Sequence, residues 1–300
     1  PLPVIVRGEN GRWHLFSSSR VAHGQSYEGF YIARGGDYDG KIVEHNAAGE
    51  EVRPIDLSLT KTAFALLFNS ALLMLIVLGA ARWYKRHPVR TSAPGGFVGL
   101  MEAAVMMIHD DLIKSCVGKD YKRFAPYLLT VFFFILINNL MGLVPIFPGG
   151  ANVTGNIAIT LLLAIATFIM TNVFGTREYW KEIFWPEVPT WLKCPVPMMP
   201  AIEFVGILTK PFALMIRLFA NMMAGHAVIL SLTCLVFVTV SMGPVVNGSM
   251  TVVSVIFCIF MNLLELLVAF IQAYVFTMLS AVFIGLARVE PHHKKEEQEI

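Results

Sequence analysis

Residues 203–226 read EFVGILTKPFALMIRLFANMMAGH, inside a mostly apolar stretch from Pro195 to Val240. Arg217 sits near its middle. An arginine does not lose its charge in a protein. Placing one at membrane depth costs roughly 2.5–3.5 kcal/mol on insertion scales. Snorkelling offers no escape, because 22 positions separate Arg217 from Pro195 and 23 separate it from Val240. The side chain therefore packs against protein or faces a wet cavity. Intramembrane charges are expensive and mark ion paths, so a site on such a path is favoured over a packing arginine.

Spacing places the neighbouring polar residues. Glu203, Lys210 and Arg217 are seven apart and share one helix face. Asn221 follows four residues on from Arg217. His226 is nine on, a rotation of about 180° at ~100° per residue, and points to the opposite side. Two polar paths on two faces, separated by an arginine, are what a pair of offset half-channels requires. The plainer alternative is a histidine satisfied in a helical core, with a glutamate simply pairing with it.

Composition agrees with a membrane chain. The 300 residues are 56% hydrophobic and 15% charged, with mean hydropathy +0.64. A net charge of +2 gives no support to nucleic-acid binding. Cys116, Cys194, Cys234 and Cys258 stand alone without C-x-x-C spacing, so neither a metal site nor a disulfide framework is expected. No nucleophile, phosphate loop or cofactor motif is present. The first residue is Pro1, which suits either a processed precursor or a chain that begins further upstream.

Residues 1–61 form a polar arm. Lys41–His45 and Glu51–Ile55 flank Asn46–Gly49 in the manner of a hairpin, but an extended arm packed on neighbouring subunits is the preferred expectation. Residues 62–287 form the membrane domain, and 288–300 a charged tail. Ala63–Ala81 is a first uncharged span, ending in Arg82, Lys85, Arg86 and Arg90. In Phe97–Val117, Val98, Met101, Val105, Ile108 and Leu112 make one apolar stripe, which predicts a helix lying along the membrane surface. His109 at its edge reads as solvated or interfacial. Ala125–Phe147 is a second span. It contains Asn138 and Asn139, which either glue helices together or line a channel. After the turn Pro148–Gly155, Ile157–Gly175 is a third span. Residues 176–194 carry Trp180, Trp185 and Trp191 as headgroup anchors.

The last two apolar stretches are too long to stand upright. Pro195–Val240 and Met250–Leu286 hold 46 and 37 residues, about 69 and 56 Å as helices against ~30 Å of hydrocarbon. Pro200 and Pro211 can kink the first. A tilted hairpin with its turn at Ser241–Gly248 accounts for the length. The predicted fold is thus an all-α membrane protein: about five membrane-crossing helices plus one amphipathic surface helix, the last two long, tilted and forming a hairpin. The basic loops 82–123, 176–193 and 288–295 then share one side, while 148–155 and 241–249 lack Lys and Arg on the other. The first 61 residues, with seven Lys and Arg, lie opposite the basic loops; the charge rule weakens for segments of that length. With the turn near residue 245, antiparallel pairing sets Arg217 opposite Gln272, His226 opposite Glu265, and Glu203 near Arg288.

Three motifs carry a family resemblance. RLFANMMAGH, with Glu203 fourteen residues before the arginine, resembles the signature of subunit a of F-type ATP synthases, the stator half of the proton channel. LLELLVAFIQAYVFT (263–277) resembles the family's last helix, with Glu265 and Gln272 seven apart. NNLMGLVP (138–145) resembles its asparagine-bearing segment. Met215 stands where the family usually has a small residue. The resemblance covers roughly residues 125–285. It implies proton translocation without catalysis by this chain. The implied partners are a rotor ring of c subunits, a peripheral stalk, other membrane subunits and the lipid bilayer. Protons would pass His226 and Glu265, protonate a rotor carboxylate, and leave near Glu203. Arg217, with Asn221 and Gln272 beside the path, would hold the arriving carboxylate ionised, since a nearby cation lowers an acid's pKa. The order of His226 and Glu265 and the string QAYVFT (272–277) resemble the mitochondrial form, which implies the mitochondrial inner membrane. The rival readings are a self-contained ion transporter or channel, in which internal repeats are common and none is found here, and a non-transporting scaffold.

Overall fold

A computed structural model describes residues 2–35, 38–46, 49–87, 95–144, 149–184 and 198–288. The expectations for Arg90, Pro148, Trp185, Trp191, Cys194 and the tail beyond Arg288 lie outside those residues. The chain divides into two compact units, Pro1–Phe68 and Asn69–Ile300.

The first unit is not an extended arm. Its described residues hold six strands: β1 (Pro3–Arg7), β2 (Trp13–Ser17), β3 (Phe30–Ile32), β4 (Ile42–His45), β5 (Glu51–Val52) and β6 (Ile55–Asp56). They pair antiparallel in two three-stranded sheets, ordered β2-β1-β6 and β3-β4-β5. The reason is the two-residue alternation of a half-buried strand. Val4 and Val6 of β1 and Phe16 of β2 turn to one face, where they meet Val21 and Phe30 in a small core. Glu44 pairs with Val52 and His45 with Glu51, so the hairpin around Asn46–Gly49 forms.

The second unit is helical. Its elements are α1 (Lys61–Arg86, which starts in the first unit), α2 (Gly96–Met106), a π-helical turn (Met107–Ile113), α3 (Lys114–Val117), α4 (Tyr121–Leu143), α5 (Ile157–Val173), α6 (Arg177–Phe184), α7 (Met198–Val238) and α8 (Pro244–Ala287). Among the described residues, four helical stretches are long and apolar enough to cross a membrane: Lys61–Arg86, Gly96–Leu143, Ile202–Met242 and Pro244–Ala287. Ile157–Val173 is apolar but shorter.

The core sits where α4, α7 and α8 meet the amphipathic segment. Leu214, Leu218 and Met222 recur every four residues on α7 and are fully buried. They join Phe124, Leu128, Phe132 and Ile135 of α4 with Ala273, Phe276 and Ile284 of α8. Small side chains at Ala269, Ala273, Ser280 and Ala281 keep the inward face of α8 low, which is how membrane helices pack closely. The stripe from Val98 to Leu112 also faces inward, and its last members, Ile108 and Leu112, are buried. The π-helical turn inserts an extra residue, so Ile113 joins Leu112 in the core. His109 binds Asp110 at 2.9 Å on the exposed side.

The reversal before α8 comes earlier than expected. A short 3-10 turn, Thr239–Met242, leads to Gly243, whose φ of +103° strains any side-chain-bearing residue. Pro244 then takes the first position of α8, where its fixed φ suits a helix start and no backbone N–H is missed. The helix thus begins six residues before Met250.

Buried amides tie α1 to the rest. Asn69 and Asn138 are each 1% exposed. Asn69 Nδ2 donates to Asn138 Oδ1 at 3.0 Å, and Asn138 Nδ2 donates to the Phe134 carbonyl at 2.8 Å. Asn69→Leu would leave Asn138 Oδ1 buried without its donor, at a cost of about 1–3 kcal/mol. We expect a lower thermal denaturation midpoint for the purified membrane complex, partly restored in Asn69→Leu/Asn138→Leu. A single variant as stable as wild type would show that this bond does not hold α1.

Candidate functional site

The polar residues of α7 and α8 meet along the inner seam of the two helices. His226 Nδ1 lies 2.5 Å from Glu265 Oε1, and Glu265 is 5% exposed. Gly225 makes the room. A Cβ there would stand 2.8 Å from Glu265 Oε1 and 3.0 Å from Cδ, closer than a side chain tolerates. Two turns further along α8, Gln272 accepts a hydrogen bond from Asn221 Nδ2 at 3.2 Å. Ser254 Oγ, on the other side of Glu265, donates to the Leu232 carbonyl at 2.5 Å. These pairs run in opposite directions along α7 and α8, so the two helices are antiparallel.

Between the two carboxamide and carboxylate contacts, α4 reaches in. Glu265, Ala269 and Gln272 are four and three residues apart and line one face of α8. Asn139 Nδ2 donates to the Ala269 carbonyl at 3.3 Å, and Thr154 Oγ1 donates to Asn139 Oδ1 at 2.7 Å. Asn139 and Thr154 are both fully buried. Two atoms of this belt, Glu265 Oε2 and Gln272 Nε2, are buried with no hydrogen-bond partner among the described residues.

Arg217 differs from all of these. It is exposed on α7, one turn before Asn221, and makes no hydrogen bond or ion pair among the described residues. It is not bonded to Gln272, which is taken by Asn221. The bulky Met215, two residues earlier, turns inward and is 5% exposed. Lys210 shares the heptad spacing with Arg217 but packs over the ring of Phe283, 5.7 Å from its centroid.

Glu203 is half-buried near the start of α7. It does not bond Arg288, whose Nε donates to Asp120 Oδ2 at 2.8 Å and whose Nη1 donates to the Phe174 carbonyl at 3.2 Å. Arg288 is claimed by α4's leading turn and the end of α5 because both lie beside the end of α8. Instead Glu203 acts on Tyr179 of α6. Burial first, and then the Glu203 carboxylate, raise the Tyr179 phenol above its ordinary value of 10.0. The phenol stays protonated at neutral pH and donates to Asn172 Oδ1 at 3.3 Å.

The profile of the ATP synthase A chain family matches residues 66–285. The chain belongs to that family. Its relatives include ATP synthase subunit a of Chloroherpeton thalassium, 44% identical over 254 residues, covering 82% of this chain and 71% of the relative. The same subunit of Chlorobium phaeobacteroides is 43% identical over 271 residues, covering 86% and 75%. That of Myxococcus xanthus is 40% identical over 264 residues, covering 84% and 81%. Residues 1–58 match a separate profile, a domain of unknown function (DUF8433). These relatives are bacterial, which overturns the mitochondrial assignment and, with it, the mitochondrial inner membrane. That assignment rested on the order of His226 and Glu265 and on QAYVFT. The order depends on two residues facing each other across the seam. The contact has the same chemistry whichever helix carries the imidazole, so it does not report a compartment.

Several polar members of this subunit a were not singled out in its sequence. Asn69 is one amide in an uncharged apolar span, and Thr154 lies in the turn Pro148–Gly155. Tyr179 was passed over beside three tryptophans. The available signal was weak but physical: each is a hydrogen-bonding side chain inside or beside an apolar run. The crowding at Gly225 gives a direct test of the His226–Glu265 contact. Gly225→Ala should push the carboxylate off the imidazole and slow proton-driven ATP synthesis severalfold in membrane vesicles. Unchanged rates would mean that the contact is not needed.

Proposed function

We propose that this subunit a moves protons through two offset half-channels that meet at Arg217. The chain is a non-catalytic, multi-pass membrane subunit of the rotary ATP synthase stator. Its partners are the c-subunit rotor ring, the peripheral stalk and the other membrane subunits. The observation that carries the half-channel reading is the exposed, unpartnered Arg217 on an apolar helix. A guanidinium at that depth needs a counter-charge, and none stands beside it among the described residues. A carboxylate on the rotor supplies one from outside. A packing arginine would have found its partner within the chain, which weighs against the scaffold reading, as does the lack of internal repeats against a self-contained transporter.

In this reading the inlet path runs past His226 and Glu265, along the face holding Ala269, Asn139 and Thr154, to Gln272 and Asn221. The unpartnered Glu265 Oε2 and Gln272 Nε2 offer one acceptor and one donor along it. The outlet path leads away from Arg217 and leaves near Glu203, with Tyr179 and Asn172 beside it. Arg217 separates the two and keeps the arriving rotor carboxylate ionised. The membrane potential drives each charge with about 2.3 kcal/mol per 100 mV.

The topology follows the same reading. α5, 17 residues long, reaches about 26 Å and completes a fifth crossing. α2 and the π-helical turn after it lie along the membrane surface, with Glu102, Asp110 and Asp111 outward. α7 and α8, 41 and 44 residues long, reach about 62 and 66 Å. They fit a ~30 Å core only if steeply tilted, and a tilted pair presents a long side to a curved rotor.

Arg217→Ala is expected to abolish proton-driven synthesis while passive proton leak persists or rises. Arg217→Lys keeps a charge but loses the planar fork and should fail as well. Coupled synthesis at normal rates in the alanine variant would sink the proposal.

The two inlet residues can be exchanged. His226→Glu with Glu265→His keeps one imidazole and one carboxylate at the same contact, so the double variant should pump better than either single. Each single should shift the pH dependence of pumping without opening a leak. Pumping measured against pH in all three decides. A double no better than the worse single would mean that the inlet runs through other groups.

A further inference from the structure

The first unit carries an apolar face that its own core does not use. Side chains alternate across a strand, and the register of β2-β1-β6 sorts them. Val4, Val6 and Phe16 face the small core. On the opposite face Ile5 stands beside Leu15 of β2, and Arg7 lies between Trp13 of β2 and Ile55 of β6. Beyond β6 the chain stays paired, with Leu57 N donating to the Ile5 carbonyl at 2.9 Å and Leu59 N to that of Pro3 at 3.2 Å. Leu57 therefore extends the same face. Trp13, Leu15, Ile55 and Leu57 are 54–72% exposed, and one sheet face holds them all.

Two observations say what covers it. The first is attachment. Leu59 is still bonded to β1, and Lys61 already begins α1, so Thr60 alone stands between them. Thr60 is also the helix start: its Oγ1 accepts from Ala63 N at 3.2 Å and its carbonyl from Phe64 N at 2.9 Å. One extended residue spans at most about 3.6 Å, so the sheet is held at the first turn of a membrane-crossing helix. The second is charge. Residues 1–61 contain seven Lys and Arg and eight Asp and Glu, yet the outward positions Pro3, Ile5, Arg7, Trp13, Leu15, Ser17, Ile55 and Leu57 include no carboxylate. Their one charge is Arg7, whose guanidinium lies 5.9 Å from the centre of the Trp13 ring. Exposed Arg53 continues the alternation before Ile55. Tryptophan, aliphatic side chains and arginine without acid are the chemistry of a bilayer headgroup layer.

We propose that this face of the β2-β1-β6 sheet is a membrane-surface binding face, seated in the headgroup layer of a leaflet containing anionic phospholipid, at the N-terminal end of α1. The test uses the assembled ATP synthase in vesicles of phosphatidylcholine and phosphatidylglycerol. Nitroxide labels are placed at Leu15→Cys and Ile55→Cys, with Cys116, Cys194, Cys234 and Cys258 changed to serine. Glu50→Cys, on the exposed β4–β5 turn, is the reference. All three replaced side chains are exposed, so the strands keep their core. Power saturation should show oxygen, which partitions into lipid, reaching labels 15 and 55 severalfold more than the aqueous nickel complex Ni-EDDA, with the order reversed at 50. Ni-EDDA dominating at 15 and 55 would overturn the proposal, because the face would then be in water. Neither reagent reaching those labels would also overturn it, because a protein neighbour would then cover the face. ATP synthesis by the labelled complex should be unchanged, so either outcome leaves the half-channel reading to its own tests.

Discussion

A guanidinium cannot shed its proton to escape a poor environment, and Arg217 sits where the environment is poor. Its cost is several kcal/mol at membrane depth, and no side chain beside it lowers that cost within the described residues. Elsewhere the fold is careful with charge. Glu265 is met by His226, Arg288 by Asp120, and Lys210 by the face of Phe283. Among the described residues Arg217 has no such contact, which supports the proposal that its counter-charge comes from another chain. In the proposed function that counter-charge arrives on the rotor, exchanges its proton and moves on.

The helices bring the other polar residues of α7 and α8 together. The inward face of α8 alternates small residues with the polar Glu265 and Gln272, so α4 and α7 approach closely enough for amide and carboxylate contacts to form. Asn139 spends its amide on the backbone of α8 and its carbonyl on Thr154, which fixes α4 against the path. A belt fully satisfied by its own members would have nothing to offer a passing proton. Among the described residues Glu265 and Gln272 each keep one buried atom without a partner, which is unusual in a well-packed interior and supports the proposed proton path.

The N-terminal unit follows a different logic. Its strands are too short and its core too small to hold a large surface together, and beyond β6 the chain stays bonded to β1 as far as Leu59, one residue short of α1. In the proposed membrane-surface seating such a sheet does not need two dry faces of its own, because lipid supplies the second.

Much of the membrane unit was legible in the sequence, because a bilayer allows few solutions. Spans follow from the length of apolar runs, and the cost of Arg217 follows from its distance to either end of its run. The facing of His226 and Glu265 needed only an antiparallel pairing and a turn. The start of α8 was misplaced because a proline and a glycine in an apolar stretch read as loop, whereas Gly243 takes the reversal and Pro244 opens the helix. The first unit was misread because its strands are two to five residues long, too short for periodicity to stand out from polar chain. Sequence by itself determined which residues are apolar enough to sit in lipid and which charges cannot be there cheaply, since those depend on composition and distance along one chain. Only the tertiary structure decided that Asn221 takes Gln272, that Asp120 takes Arg288, that Asn69 reaches Asn138, and that Arg217 has no partner among the described residues. Each such choice is a competition between partners distant in sequence, and packing geometry settles it.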